Sequence, residues 1–104
     1  MMDHITTSLE ADMLTAIALI DTEADRIPEV AEAVAEIPGV SEVYSVTGDV
    51  DLIAMVRVRE HEELSGVIAD RIGKVAGVLR TRTYIAFQAY SRHDLEAAYN
   101  LGLD

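Results

Sequence analysis

Ile37-Pro38-Gly39-Val40-Ser41-Glu42-Val43-Tyr44-Ser45-Val46-Thr47-Gly48-Asp49-Val50-Asp51-Leu52-Ile53-Ala54-Met55-Val56 joins the end of one helix to two strands. Pro38 has no N–H to donate and Gly39 accepts a left-handed turn, so the pair stops a helix arriving from the N-terminal side. Val40 to Thr47 is dominated by Val and Tyr and reads as a strand. Gly48-Asp49 is a turn pair, and Asp51 to Arg59 is a second β-rich run. The two strands therefore form a hairpin.

Working outward, Ile27, Val30, Ala31, Val34 and Ile37 fall at helical spacing, with Glu29, Glu32 and Glu36 on the other faces and Pro28 in the first turn. Before them, Met13 to Asp21 is an aliphatic run of strand length. After the hairpin comes an acidic helix start, Glu60-His61-Glu62-Glu63. It leads into a second stripe of Leu64, Val67, Ile68, Ile72 and Val75, closed by Lys74 and Gly77. Val78 to Tyr90 is a long fourth strand, with Leu79, Thr81, Thr83, Ile85, Phe87 and Ala89 on one face and Arg80, Arg82, Tyr84, Ala86, Gln88 and Tyr90 on the other. Residues 1–12 form a polar leader, 13–91 the domain, and 92–104 a tail with a short helix through Leu95, Ala98 and Tyr99.

The order is β-α-β-β-α-β, and each helix ends in Gly-Val (Gly39-Val40, Gly77-Val78). Two interleaved βαβ halves give an α+β fold of the ferredoxin-like, split βαβ kind, a four-stranded antiparallel sheet with both helices on one face. Strands one and three are apolar on both faces: Ile17 and Leu19 oppose Ala18 and Ile20, while Ile53 and Met55 oppose Leu52, Ala54, Val56 and Val58. Helices cover one face, and a contiguous apolar sheet left open is rare in monomers. A homodimer packed sheet to sheet, of the dimeric α/β-barrel type, is expected. Arg80 and Arg82 would meet carboxylates of the partner across that interface, a basic binding patch being the weaker reading.

Composition narrows the function. Nineteen Asp and Glu against eight Lys and Arg give a formal net charge of −11. Such a surface repels a phosphate backbone, so direct nucleic-acid binding is not expected. With no Trp and one Phe, platforms for base stacking are scarce. There is no Cys, which suits a reducing compartment. No apolar run reaches the ~20 residues of a membrane span, and the leader lacks the basic and apolar parts of a signal peptide. A cytoplasmic protein without membrane contact is expected. His4, His61 and His93 lie far apart, with no partner at metal-ligand spacing. No phosphate loop or nucleophile elbow is present. Neither a metal, a cofactor nor a catalytic residue is expected.

The chemistry-bearing segment is Val46-Thr47-Gly48-Asp49-Val50-Asp51-Leu52. A glycine turn lets a ligand approach the backbone, its free N–H groups suit a carboxylate, and Asp49 or Asp51 suits an ammonium. These are the two ends of a free amino acid. Gly-Asp is equally a common structural turn, with Asp bonding its own backbone.

The run from Leu14 to Tyr90, about three quarters of the chain, resembles the effector domain of the Lrp/AsnC family, the domain of regulation of amino-acid metabolism. The matching pieces occur in order: the opening aliphatic strand, Ile37-Pro38-Gly39-Val40, the strand Glu42 to Gly48, Gly48-Asp49-Val50-Asp51-Leu52, then Gly77-Val78 and Arg80-Thr81-Arg82-Thr83. Val50 stands where the family often has Tyr. The family's N-terminal helix-turn-helix has no counterpart in the dozen residues before the first strand, which resembles the stand-alone form of the module. The resemblance implies sheet-paired dimers that join into rings, often octameric. It also implies a small amino-acid effector held in clefts between dimers, and co-assembly with full-length regulators. Carried across by motif, the effector site comprises Val46, Thr47, Gly48, Asp49 and Asp51, with Thr81 and Thr83. Two other readings share the topology: a small dimeric α/β-barrel enzyme (a monooxygenase or isomerase), and a structural oligomer without a ligand. The enzyme would need a His, Trp or Asn cluster on the helix-facing stripes, and the sequence has none there.

Overall fold

A computed structural model describes residues 13–90. The leader and the tail helix read from the sequence lie outside the described residues, as do His4 and His93. The elements are β1 (Leu14–Thr22), α1 (Ile27–Ala35), β2 (Val40–Ser45), β3 (Leu52–Val58), α2 (His61–Ser65) and β4 (Val78–Ile85). A 3-10 turn, Ala24–Arg26, leads into α1. The four strands form one antiparallel sheet in the order β2-β3-β1-β4. This is the split βαβ topology expected from the element order, with β3 and β1 at its centre.

The core lies on one face. Ala16, Ala18 and Ile20 of β1 and Leu52, Ala54, Val56 and Val58 of β3 alternate inward. Val30 and Val34 of α1 are fully buried against the sheet, and Ile27, Ala31 and Ile37 pack at the margin. Pro28 sits in the first turn of α1, where a missing N–H is tolerated. Gly39 and Gly77 both have positive φ, 101° and 99°, so each helix-to-strand turn requires glycine.

The second helical region departs from the single α-helix that its stripe predicts. After α2 the chain widens into a π-helical segment, Gly66–Arg71, and closes in a 3-10 turn, Ile72–Lys74. The Ile72 N–H reaches back to the carbonyls of both Ile68 and Val67. The wider turn brings Val67 and Ile72, five apart, into the same core.

β2 stops at Ser45 and β4 at Ile85, both earlier than the sequence suggests. For β2 the limit is the partner strand. Ser45 pairs with Leu52, the first residue of β3, and Ile85 pairs with Ala16 near the start of β1. One further bond, Ala86 N–H to Thr15 O at 2.9 Å, ends the β4 ladder.

Among the described residues, no helix covers the opposite sheet face. Register places Thr15, Ile17, Leu19 and Asp21 of β1 beside Ile53, Met55 and Arg57 of β3. Glu42 and Tyr44 of β2 flank them on one side, and Arg80, Arg82 and Tyr84 of β4 on the other. Ile17, Leu19, Ile53 and Met55 are half-exposed there, and Tyr44 and Tyr84 are 48% and 58% exposed. Arg80 finds its carboxylate in its own chain, Asp21 on the neighbouring strand at 3.1 Å. Residues 80 and 21 are register neighbours, so one carboxylate partner is at hand within the chain.

Candidate functional site

The β2–β3 connection runs from Val46 to Asp51 and is pinned at its base. The Val46 N–H donates to the Asp51 carbonyl at 3.1 Å, and the Asp51 N–H donates to Ile20 O at 3.0 Å. The Asp51 carboxylate also accepts the Thr22 N–H through Oδ2 at 2.9 Å. Val50 is 8% exposed and continues inward the alternation of Leu52, Ala54, Val56 and Val58. The turn is therefore anchored to β1 and to the core from one side, while its tip projects.

The tip consists of Thr47, Gly48 and Asp49, all exposed. Gly48 has φ 134°, and a Cβ placed on it would meet nothing within 4 Å. Glycine is needed there for backbone conformation, and open space surrounds it. Among the described residues, the N–H groups of Thr47, Gly48, Asp49 and Val50 donate to no protein acceptor, and the Asp49 carboxylate accepts from none. Consecutive unused N–H donors beside a free carboxylate form a site that can take a carboxylate and an ammonium together.

Not all of the residues singled out in the sequence converge. Val46, Thr47, Gly48, Asp49 and Asp51 share one turn. Thr81 and Thr83 lie on β4, opposite Ile20 and Ala18 on the helix-side face. Two strand spacings, roughly 10 Å, separate β4 from β3. Within one chain they do not join the turn. Two residues important to the turn were missed from the sequence. Val50 was legible as the next even position before Leu52. Thr22 was not, because its role uses only a backbone N–H.

Charge is distributed around the open sheet face. Glu42 Oε2 accepts the Tyr44 hydroxyl at 2.6 Å, and Glu42 Oε1 lies 3.4 Å from Arg57, which also donates to Ser41 Oγ at 2.7 Å. The Tyr44 hydroxyl, and after it Arg57, holds the Glu42 carboxyl below the usual carboxylate range. The same carboxylate holds the Tyr44 phenol above its usual value. Arg82 lies opposite Leu19, and its Nε is shielded from solvent with no acceptor among the described residues. No group of three or more His, Asp or Glu side chains is gathered to hold a metal among the described residues. None of the described helices is long and apolar enough to cross a membrane.

Comparison with known proteins shows the family of the chain. Residues 15–95 match the model of the Lrp/AsnC ligand binding domain. The HTH-type transcriptional regulator FL11 of Pyrococcus horikoshii is 35% identical over 77 residues, covering 74% of this chain and 50% of the relative. The chain thus spans about half the length of that curated relative. A solved structure of TTHA0845 from Thermus thermophilus is 48% identical with a TM-score of 0.72, covering 76% of this chain and 99% of that one. The fold alone is shared with the transcriptional regulator NMB0573 of Neisseria meningitidis, solved as its L-Met complex, at 17% identity and a TM-score of 0.69 over 76% of this chain and 53% of that one. With the family model matched across most of its length, this chain belongs to the Lrp/AsnC ligand-binding-domain family.

Proposed function

We propose that this chain is an effector-binding module that takes a small amino acid, or a molecule with similarly paired charges, at the Gly48 turn. The observation that carries this reading is that, among the described residues, the N–H groups from Thr47 to Val50 and the Asp49 carboxylate beside them have no hydrogen-bond partner. The effector carboxylate sits on the N–H groups, and its ammonium on Asp49. Asp51 has one oxygen committed to Thr22, so it holds the turn in shape. Thr81 and Thr83 contribute from a neighbouring copy, since they do not reach the turn of their own chain. The L-Met complex of the Neisseria regulator supports this class of effector.

The module works as an oligomer. Its open sheet face has an apolar centre of Ile17, Leu19, Ile53 and Met55 between two tyrosines. A second copy packed face to face covers that centre and supplies an acceptor for the orphan Arg82 Nε, which costs about 1–3 kcal/mol while unpaired and shielded. Dimers then join into a ring, octameric in the reading from family resemblance, with effector clefts between dimers. A ligand bound there shifts assembly to the extent that it prefers one oligomer. With a net charge of −11, the chain acts on transcription through co-assembly with full-length regulators in the cytoplasm rather than by touching DNA. The reading assigns it no catalytic role and no cofactor.

Thermal unfolding in the presence of each of the twenty amino acids, with mass read by light scattering, tests this. A selective rise of several degrees with one or a few of them is the expected result. An oligomer indifferent to all twenty contradicts the effector assignment, and a stable monomer contradicts the assembly.

A further inference from the structure

An open groove of about 450 Å³ lies at the end of the sheet away from the Gly48 turn. The two are separated by the seven residues of β3, roughly 20 Å of extended chain. Its walls are apolar or bare backbone at Met13, Pro38, Gly39, Val58, Gly66 and Val67, and its charged lining is Arg57, Arg59, Arg71 and Glu63. Three of the chain's eight basic residues thus gather at one groove of a protein with net charge −11.

The charged groups are not equivalent. The Arg57 guanidinium is occupied by Ser41 and Glu42. Glu63 turns Oε1 to the N–H groups of Arg59 and Glu60, at 3.2 and 3.0 Å, closing the capping box of α2. Arg59 and Arg71 pair with no carboxylate among the described residues. Arg71 ends the π-helical segment whose Gly66 and Val67 also line the groove. Single π turns recur where a helix is widened to build a binding surface. The volume falls within the range of small-ligand sites, which are mostly apolar with a few placed polar groups.

We propose that this groove is a second ligand site, for a small organic anion with an apolar body, its oxyanion head held by Arg59 and Arg71. Carboxylate and phosphate heads both match the guanidinium fork. The site is separate from the effector turn and does not depend on that reading.

The test titrates the 15N-labelled full chain with sodium hexanoate, hexyl phosphate and, as the neutral control, hexanol. Saturable amide shifts at Gly39, Arg59, Gly66 and Val67 are expected with at least one anion, and the stronger of the two identifies the head group. Hexanol should bind at least about tenfold more weakly. Arg59→Gln and Arg71→Gln, singly and together, should weaken the anion about tenfold or more with the remaining spectrum unchanged, and Arg80→Gln on the sheet face should leave it as it is. Saturation by neither anion, hexanol binding as tightly as the anions, or undiminished binding in the double variant would each overturn the assignment.

Discussion

The Asp51 carboxylate accepts the backbone N–H of Thr22 at 2.9 Å, fastening the turn before β3 to the last residue of β1. Thr22 is only 5% exposed, so its N–H has little access to water if that acceptor is lost. Asp51→Ala is expected to destabilise the fold by about 1.5–3 kcal/mol, the range for a hydrogen bond to a charged group. Asp51→Asn keeps an oxygen at the same distance and should lose less. Urea unfolding of the two variants beside the parent checks the order.

Asp49 stands two residues away, its carboxylate accepting no hydrogen bond among the described residues. Asp49→Asn removes the charge proposed to meet the effector ammonium and leaves the Asp51–Thr22 bond that holds the turn. It is expected to weaken effector binding by at least about tenfold, with the unfolding midpoint in the absence of effector unchanged. Calorimetric titration with the amino acid identified by thermal shift measures the first. A variant that binds as tightly as the parent would move the ammonium elsewhere.

Glycines 77 and 66 should respond to alanine in opposite directions. Gly77 has φ 99°, and a Cβ there would sit 2.8 Å from Val30 Cγ2 and 3.2 Å from Arg26 Cβ. Backbone strain and the clash with a buried valine together cost about 2 kcal/mol or more. Gly66 has helical φ and ψ, −62° and −45°, with nothing within 4 Å of a new Cβ. Gly66→Ala should stabilise by about 0.5–1 kcal/mol. Thermal melts of both variants settle the sign.

The open sheet face predicts a change in mass. Ile17→Glu places a charge in its apolar centre, on the side away from the core. The variant should keep the parent's far-ultraviolet circular dichroism yet fall to a monomer at micromolar concentration in light scattering. Retention of the parent mass would place the association surface elsewhere.

The Glu42–Tyr44 pair gives a pH prediction with a definite sign. The Tyr44 hydroxyl, then Arg57, favours ionised Glu42 in the folded chain. That contribution is present above the unfolded carboxyl value and is lost as pH falls through the lower folded one. Tyr44 is raised by the Glu42 carboxylate, so its contribution is present below the ordinary phenol value and is lost as pH rises through the folded one. Tyr44→Phe should move the Glu42 titration upward toward the ordinary carboxylate range, as followed by carboxyl 13C shifts.

Much of the fold was legible in the residues because period and punctuation agreed. The stripe of Ile27, Val30, Ala31, Val34 and Ile37 found its place against the sheet, and the stops at Gly39 and Gly77 fell where positive φ demanded them. The alternation of β3 was legible as two opposed apolar faces, and the structure buries Leu52, Ala54, Val56 and Val58 under the helices. What escaped depended on pairing and not on composition. β4 ends at Ile85, paired with Ala16 two residues short of the start of β1, although Ala86 to Tyr90 still looks strand-like. The π segment escaped because Leu64, Val67, Ile68 and Ile72 satisfy an α-helical stripe as well. At the candidate site the turn itself was legible from Gly48 and its aspartates. The anchoring of Asp51 to Thr22 was not, since a backbone N–H leaves no mark on the residue type.

The most direct test of the effector site is a titration of the 15N-labelled chain with each of the twenty amino acids, followed at the backbone amides. The account predicts saturable shifts with at least one of them, centred on Thr47, Gly48, Asp49 and Val50. Saturable shifts that leave these four amides unmoved, or no saturable shift with any of the twenty, would contradict it.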